Sequence, residues 1–134
     1  MTWDTVSRLY SQVEGELTAA LQRGHGVGIS EYRALEQLTR ADDGELRMAA
    51  LGQAIGLNQS SVTRLVGRLE AAGLAYRDLC PADGRGVYAV VTKQGRAKVA
   101  ETKPTYRTTL KNALDRAKKD PSFAPLVTAV RASV

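Results

Sequence analysis

Between Gln59 and Arg68 the chain places Gln59, Ser60, Ser61, Thr63, Arg64, Gly67 and Arg68 around an apolar stripe of Val62, Leu65, Val66 and Leu69. On a helix this separates a packing face from a face of short hydroxyls, a carboxamide and two guanidinium groups. Hydroxyls at a helix start meet phosphate oxygens beside backbone N–H groups that lack intrahelical acceptors. Guanidinium groups one turn apart reach guanine edges or phosphates. No carboxylate enters the face until Glu70 at its far end. Downstream, Arg77 lies on an alternating stretch, and Asp83-Gly84-Arg85-Gly86 reads as a hairpin turn with a cationic tip. A two-stranded ribbon tipped by arginine can reach the negative potential of a minor groove. Asp83 cannot meet phosphate favourably, so its expected use is to orient Arg85 or Arg77 by a charge-assisted hydrogen bond.

Other chemistries lack their parts. One cysteine, Cys80, excludes an internal disulfide framework and a Cys-rich zinc site, and one histidine, His25, excludes His–His metal pairs. Asp42, Asp43 and Glu45 lack the acidic register of a calcium loop and read as a turn. The glycines around His25 are not spaced as a dinucleotide fingerprint, and no strand precedes them. We therefore expect no catalytic residue, no metal and no cofactor. An enzyme would need a constellation of titratable groups that this chain does not supply.

The 134 residues, 43% hydrophobic and 25% charged, have the composition of one globular domain. No apolar run approaches the roughly 18–20 residues of a membrane span, and no basic-then-apolar signal follows Met1, so a cytoplasmic chain with no membrane association is expected. The net charge of +5 is unevenly distributed. Residues 1–58 hold five Lys/Arg against eight Asp/Glu, residues 59–96 six against three, and residues 97–119 seven against two. Concentrating positive charge in the later part of the chain favours a polyanionic partner. The cations Lys111, Arg116, Lys118 and Lys119 either form a solvated face or graze that partner.

Periodicity supplies the elements that must position these groups. Residues 3–21 carry Trp3, Val6, Tyr10, Val13, Leu17 and Ala20 at spacings of three and four, with Leu9 and Leu21 beside them, which predicts an amphipathic helix capped by Thr2 or Asp4. Its heptad-like seam suits another long helix or its own copy. Gly24, Gly26 and Gly28 end it; Ser30 is the expected cap of a second helix to about Thr39, with Tyr32, Leu35 and Leu38 inward. A short helix runs from about Met48 to Ile55, and Asn58 or Gln59 opens the next, to about Ala72, with Gly73 as its stop. Residues 74–80 and 87–91 change to a period of two and read as a hairpin. Thr92 caps a long helix to about Lys119 that Pro104 should bend, and a last helix carries Phe123, Leu126, Val127 and Val130.

Within this order, Gly52, Gly56 and Val62 hold the spacing-critical positions of a helix-turn-helix. A small residue lets the second helix approach, a glycine makes the turn, and a β-branched residue locks the helices together. From Ile29 to Arg96 the chain resembles the MarR family of winged helix-turn-helix regulators. The resemblance is carried by Ile29-Ser30-Glu31-Tyr32-Arg33-Ala34-Leu35, Leu51-Gly52-Gln53-Ala54-Ile55-Gly56-Leu57, Gln59-Ser60-Ser61-Val62-Thr63-Arg64-Leu65-Val66, Arg68-Leu69-Glu70-Ala71-Ala72-Gly73-Leu74, Asp83-Gly84-Arg85 and Thr92-Lys93-Gln94-Gly95-Arg96. These blocks cover about half the chain in the family's order; the end helices match in placement only.

The resemblance implies a mainly α fold of α+β winged-helix type, as a single domain over residues 1–134. In it a winged helix-turn-helix lobe at about 30–96 sits between dimerisation helices at about 2–23 and 97–132. It further implies a homodimer on pseudo-palindromic double-stranded operator DNA, with Gln59, Ser60, Ser61, Thr63, Arg64 and Arg68 as major-groove contacts. Arg85 and Arg77 would serve the wing, with Asp83 holding it. Many family members repress transcription and release DNA when a small, often phenolic, molecule enters a cleft beside the dimerisation helices. Here Arg8, Tyr10, His25 and Tyr32 are the residues expected to face such an aromatic effector. Others respond to thiol oxidation through a cysteine near the N-terminal helix, where this chain has none, so Cys80 is read as half-buried packing. Two alternatives remain: a regulator of this type without small-molecule control, and a winged-helix protein-interaction module that does not bind operator DNA.

Overall fold

The computed structural model describes residues 2–79 and 86–132. In chain order the elements are α1 (Trp3–His25), α2 (Ile29–Arg40), β1 (Glu45–Arg47), α3 (Met48–Ile55), α4 (Gln59–Ala71), β2 (Ala75–Leu79), β3 (Val87–Val91), α5 (Lys93–Ala117) and α6 (Ala124–Ala132). The three strands form an antiparallel sheet in the order β1-β3-β2. Two compact units result: Val27–Thr102, and Met1–Gly26 together with Lys103–Val134. Helix α5 begins in the first of these and ends in the second.

The Val27–Thr102 unit is built around the apolar faces of α2, α3 and α4. Leu35, Leu38, Leu51, Leu65, Val66 and Leu69 are fully buried, and each such side chain contributes about 1.5–3 kcal/mol over its exposed state. Val62 is also buried, and Gly52 faces it so closely that a Cβ at Gly52 would stand 2.9 Å from Val62 Cγ2 and 2.9 Å from the Leu57 carbonyl oxygen. Glycine at position 52 is thus a steric requirement of the α3–α4 crossing. Gly56 closes α3 with φ of 72°, a left-handed conformation that a side chain would strain.

Several boundaries differ from the sequence reading. Ser30 does not cap α2; Gly28 holds the N-cap position and contributes no side-chain hydrogen bond, and Ser30 lies inside the helix. Helix α1 runs through Gly24 and stops at Gly26, because a helix tolerates one exposed glycine in its last turn. Thr2 rather than Asp4 caps α1, its hydroxyl accepting from the Thr5 N–H. The buried seam of α1 is Leu9, Val13, Leu17 and Leu21, whereas Trp3 and Tyr10 are 81% and 61% exposed. Strand β1 is new: Glu45, Leu46 and Arg47 pair with Val90, Ala89 and Tyr88. Three residues are too few for a period-two pattern to stand out.

The second unit joins α1 to the end of α5 and to α6. Its buried residues include Ala113, Leu114, Ala117, Phe123 and Val127. The Arg8 guanidinium lies 5.2 Å from the centre of the Phe123 ring, Arg116 pairs with Glu16, and Asp115 pairs with both Lys111 and Arg131. Pro104 sits inside α5, as expected for a single long helix through that position.

Candidate nucleic-acid interface

Helix α4 is capped by Asn58, whose side-chain oxygen accepts from the Ser61 N–H at 2.9 Å and from the Ser60 hydroxyl at 3.0 Å. This cap fixes the direction of the first turn, where the remaining free amides and the positive end of the helix dipole point outward. No acidic residue occupies that turn. Gln59, Ser60, Thr63, Arg64 and Arg68 are exposed, and Ser61 is half-buried. The packing of Val62, Leu65, Val66 and Leu69 on the opposite side leaves this face no other orientation.

Individual partners refine the picture. The Thr63 hydroxyl donates to the Gln59 carbonyl oxygen at 2.9 Å, so it meets any ligand as an acceptor. Arg64 Nη2 reaches Ser61 Oγ at 3.4 Å, a long contact that leaves its other donors to swing outward. Arg68 is drawn toward α2, with Nε 3.8 Å from Glu31 Oε1. Gln59, Thr63 and Arg77 come together with Arg47, Met48, Ala49, Gly86 and Val87 around a cleft of about 310 Å³. A groove of that composition, with two guanidiniums and the start of α3, suits the oxygen-rich edge of a phosphate backbone.

Arg77 is held by a partner that the sequence did not suggest. Its backbone N–H donates to Glu70 Oε2 at 3.3 Å, and its Nε and Nη2 donate to Glu70 Oε1 at 3.3 and 3.1 Å. The backbone hydrogen bond first, and the guanidinium second, hold the Glu70 carboxyl below the usual carboxylate range. Arg47 was also missed. It stacks on Tyr88, its guanidinium carbon 5.6 Å from the ring centre, through the β1–β3 pairing that carried no local signal. Asp83 and Arg85, like Cys80, lie outside the described residues.

Of the residues expected to face an effector, Arg8, Tyr10 and His25 belong to one unit and Tyr32 to the other. His25 Nε2 is 2.7 Å from the Thr105 hydroxyl, and Arg8 covers Phe123. Tyr10 is exposed on α1, while Tyr32 is 4% exposed on α2, in the other unit. Among the described residues, no group of three His, Cys, Asp or Glu is placed to hold a metal ion. No helix of the described residues is long and apolar enough to cross a membrane.

A helix-turn-helix followed by a β-ribbon, with a carboxylate-free polar face on its second helix, defines a winged helix-turn-helix protein. Comparisons with known proteins agree. The MarR family profile matches residues 25–86. MhqR of Bacillus subtilis, an HTH-type transcriptional regulator, is 30% identical over 90 residues, which are 67% of this chain and 60% of MhqR. Sco3205 of Streptomyces coelicolor, a MarR family transcriptional regulator solved in complex with DNA, superposes with a TM-score of 0.81 at 27% identity, over 97% of this chain and 81% of that one. BpsR of Bordetella bronchiseptica, solved to address regulation of its DNA binding by 6-hydroxynicotinic acid, shares the fold with a TM-score of 0.78 at 21% identity, over 99% of this chain and 92% of that one. By profile, sequence and fold this chain is a MarR-type winged helix-turn-helix protein, and it spans less than two thirds of the length of MhqR.

Proposed function

We propose that two copies of this chain bind pseudo-palindromic double-stranded DNA, with each α4 in a major groove and each β2–β3 ribbon toward the flanking minor groove. The observation that carries the reading is the exposed face of Gln59, Ser60, Thr63, Arg64 and Arg68, aimed by the tight Gly52–Val62 contact. The solved DNA complex of Sco3205 supports the same partner. A homodimer is supported by the exposed Trp3 and Tyr10 on α1 and Val130 on α6, apolar groups that a lone subunit leaves in water. The protein then acts in the cytoplasm as a repressor, and a small aromatic effector releases it. Such a molecule lowers operator affinity by favouring the dimer whose recognition helices are not one helical turn (~34 Å) apart.

The test starts from a duplex selected out of a randomised library, with affinity read by fluorescence anisotropy and assembly by sedimentation equilibrium. Dimers with sequence preference and a steep loss of affinity with salt are expected. Arg64→Ala and Arg68→Ala should each remove about 1–3 kcal/mol of discrimination between preferred and altered sites. Arg85→Ala should weaken binding with less change in preference. Monomers that show no preference for any duplex at modest ionic strength overturn the reading, and unaltered affinity in all three variants means that another face binds.

A further inference from the structure

Strand β2 has little apolar support. Of its five residues only Ala75 is buried, and the strand lies at the edge of the sheet, where alternate backbone N–H groups point away from β3. Arg77 is one of those, and its outward N–H goes to Glu70. The same carboxylate also takes the Arg77 Nε and Nη2, so one side chain grips both the main chain and the side chain of one strand residue. A pair joining two side-chain tips would leave the strand free to pivot; a grip on the main chain fixes its position and angle. Glu70 stands in the last turns of α4, the helix that carries the polar face.

We propose that Glu70 is a positioning residue for DNA recognition: by clamping Arg77 it sets the direction in which the β2–β3 ribbon leaves α4, and so the ribbon's reach along the DNA that flanks the α4 contacts. This rests on the DNA-binding reading above. Arg77 then anchors the ribbon instead of entering a groove. The sign of the effect separates the clamp from a plain surface charge. A carboxylate near phosphates repels them, so deleting an idle Glu70 would strengthen DNA binding. Deleting a clamp weakens it.

Glu70→Gln and Glu70→Ala remove the same charge, but the glutamine oxygen still accepts from the Arg77 N–H. Each variant is titrated against the selected duplex at full length and against one trimmed to the segments that the two α4 helices read. Glu70→Ala should lose about tenfold on the full duplex and stay within about twofold of wild type on the trimmed one, with most of the loss restored in Glu70→Gln. Amide hydrogen exchange at Arg77, which needs no DNA, should be slow in wild type and Glu70→Gln and fast in Glu70→Ala. The proposal is overturned if Glu70→Ala binds the full duplex as tightly as wild type or tighter, loses equally on both duplexes, or leaves Arg77 exchange unchanged. Should wild type bind neither duplex, the DNA-binding reading fails on its own, and the exchange result alone decides whether the clamp exists.

Discussion

Two glycine-to-alanine substitutions in the helix-turn-helix make the same chemical change and should have opposite signs. Gly67, on the polar side of α4, has nothing within 4 Å of the position a Cβ would take. Alanine there gains helix propensity of about 0.8–1 kcal/mol and meets no obstacle. Gly52, in α3, would gain the same propensity term. Its new methyl would stand 2.9 Å from Leu57 O and 2.9 Å from Val62 Cγ2, closer than carbon atoms tolerate. The Leu57 backbone cannot yield easily, because its own N–H is bonded to the Gly52 carbonyl at 2.9 Å. Val62 is fully buried in the core. Overpacking of this kind costs about 1–3 kcal/mol, so Gly52→Ala should be destabilising by up to about 2 kcal/mol after the propensity gain is subtracted.

Urea unfolding followed by far-ultraviolet circular dichroism, at one fixed protein concentration, measures both variants against wild type. The midpoint should rise for Gly67→Ala and fall for Gly52→Ala, and the gap between them isolates the steric term. DNA affinity should fall further in Gly52→Ala than stability alone explains, since the only relief is to move α4 away from α3. If Gly52→Ala stabilises the protein as much as Gly67→Ala does, the close α3–α4 contact is wrong, and with it the reason given for the aim of the polar face.

Asn58→Ala removes the cap of α4 and should cost about 1 kcal/mol in the same urea titration, while Asn58→Asp retains most of it. Hydrogen bonds from Arg131 first and Lys111 second hold the Asp115 carboxyl below its ordinary range. A carboxyl lowered in the folded state contributes stability that is present above its unfolded pKa and lost as pH falls through its folded pKa. Asp115→Asn should therefore be less stable than wild type at neutral pH, and the difference should close below the carboxylate range. A difference that widens in acid would contradict the pairing.

What the sequence made legible was local. The stripe of Val62, Leu65, Val66 and Leu69, the cap at Asn58 and the stop at Gly56 are short-range signals, and α3 and α4 stand where these put them. The change of period at residue 74 marked β2 and β3 for the same reason. Ser30 was misread because a serine before an apolar run is a common cap, whereas here the extended backbone at Gly28 already starts the helix two residues earlier. Helix α1 carries enough apolar residues for two stripes. Spacing alone does not tell that Leu9, Val13, Leu17 and Leu21 are the ones covered within the chain.

The features that escaped are pairings between residues with no fixed separation. β1 exists only because β3 returns beside it, and Arg47 acquires its place on Tyr88 from that register. Glu70 showed itself in the sequence only as the first carboxylate at the end of a basic face, a mark against DNA contact at that point. Folded, the same charge lies seven residues from its partner in sequence and grips it through both main chain and side chain. Its position at the end of α4 then acquires a physical reason. A carboxylate nearer the helix start would oppose both the helix dipole and the phosphates, while one placed after the polar face can hold the ribbon with less repulsion of the DNA. On the proposed reading, the charge pattern of α4, free of acid for the eleven residues from Gln59 to Leu69 and then acidic at Glu70, suits one task at each end of the helix.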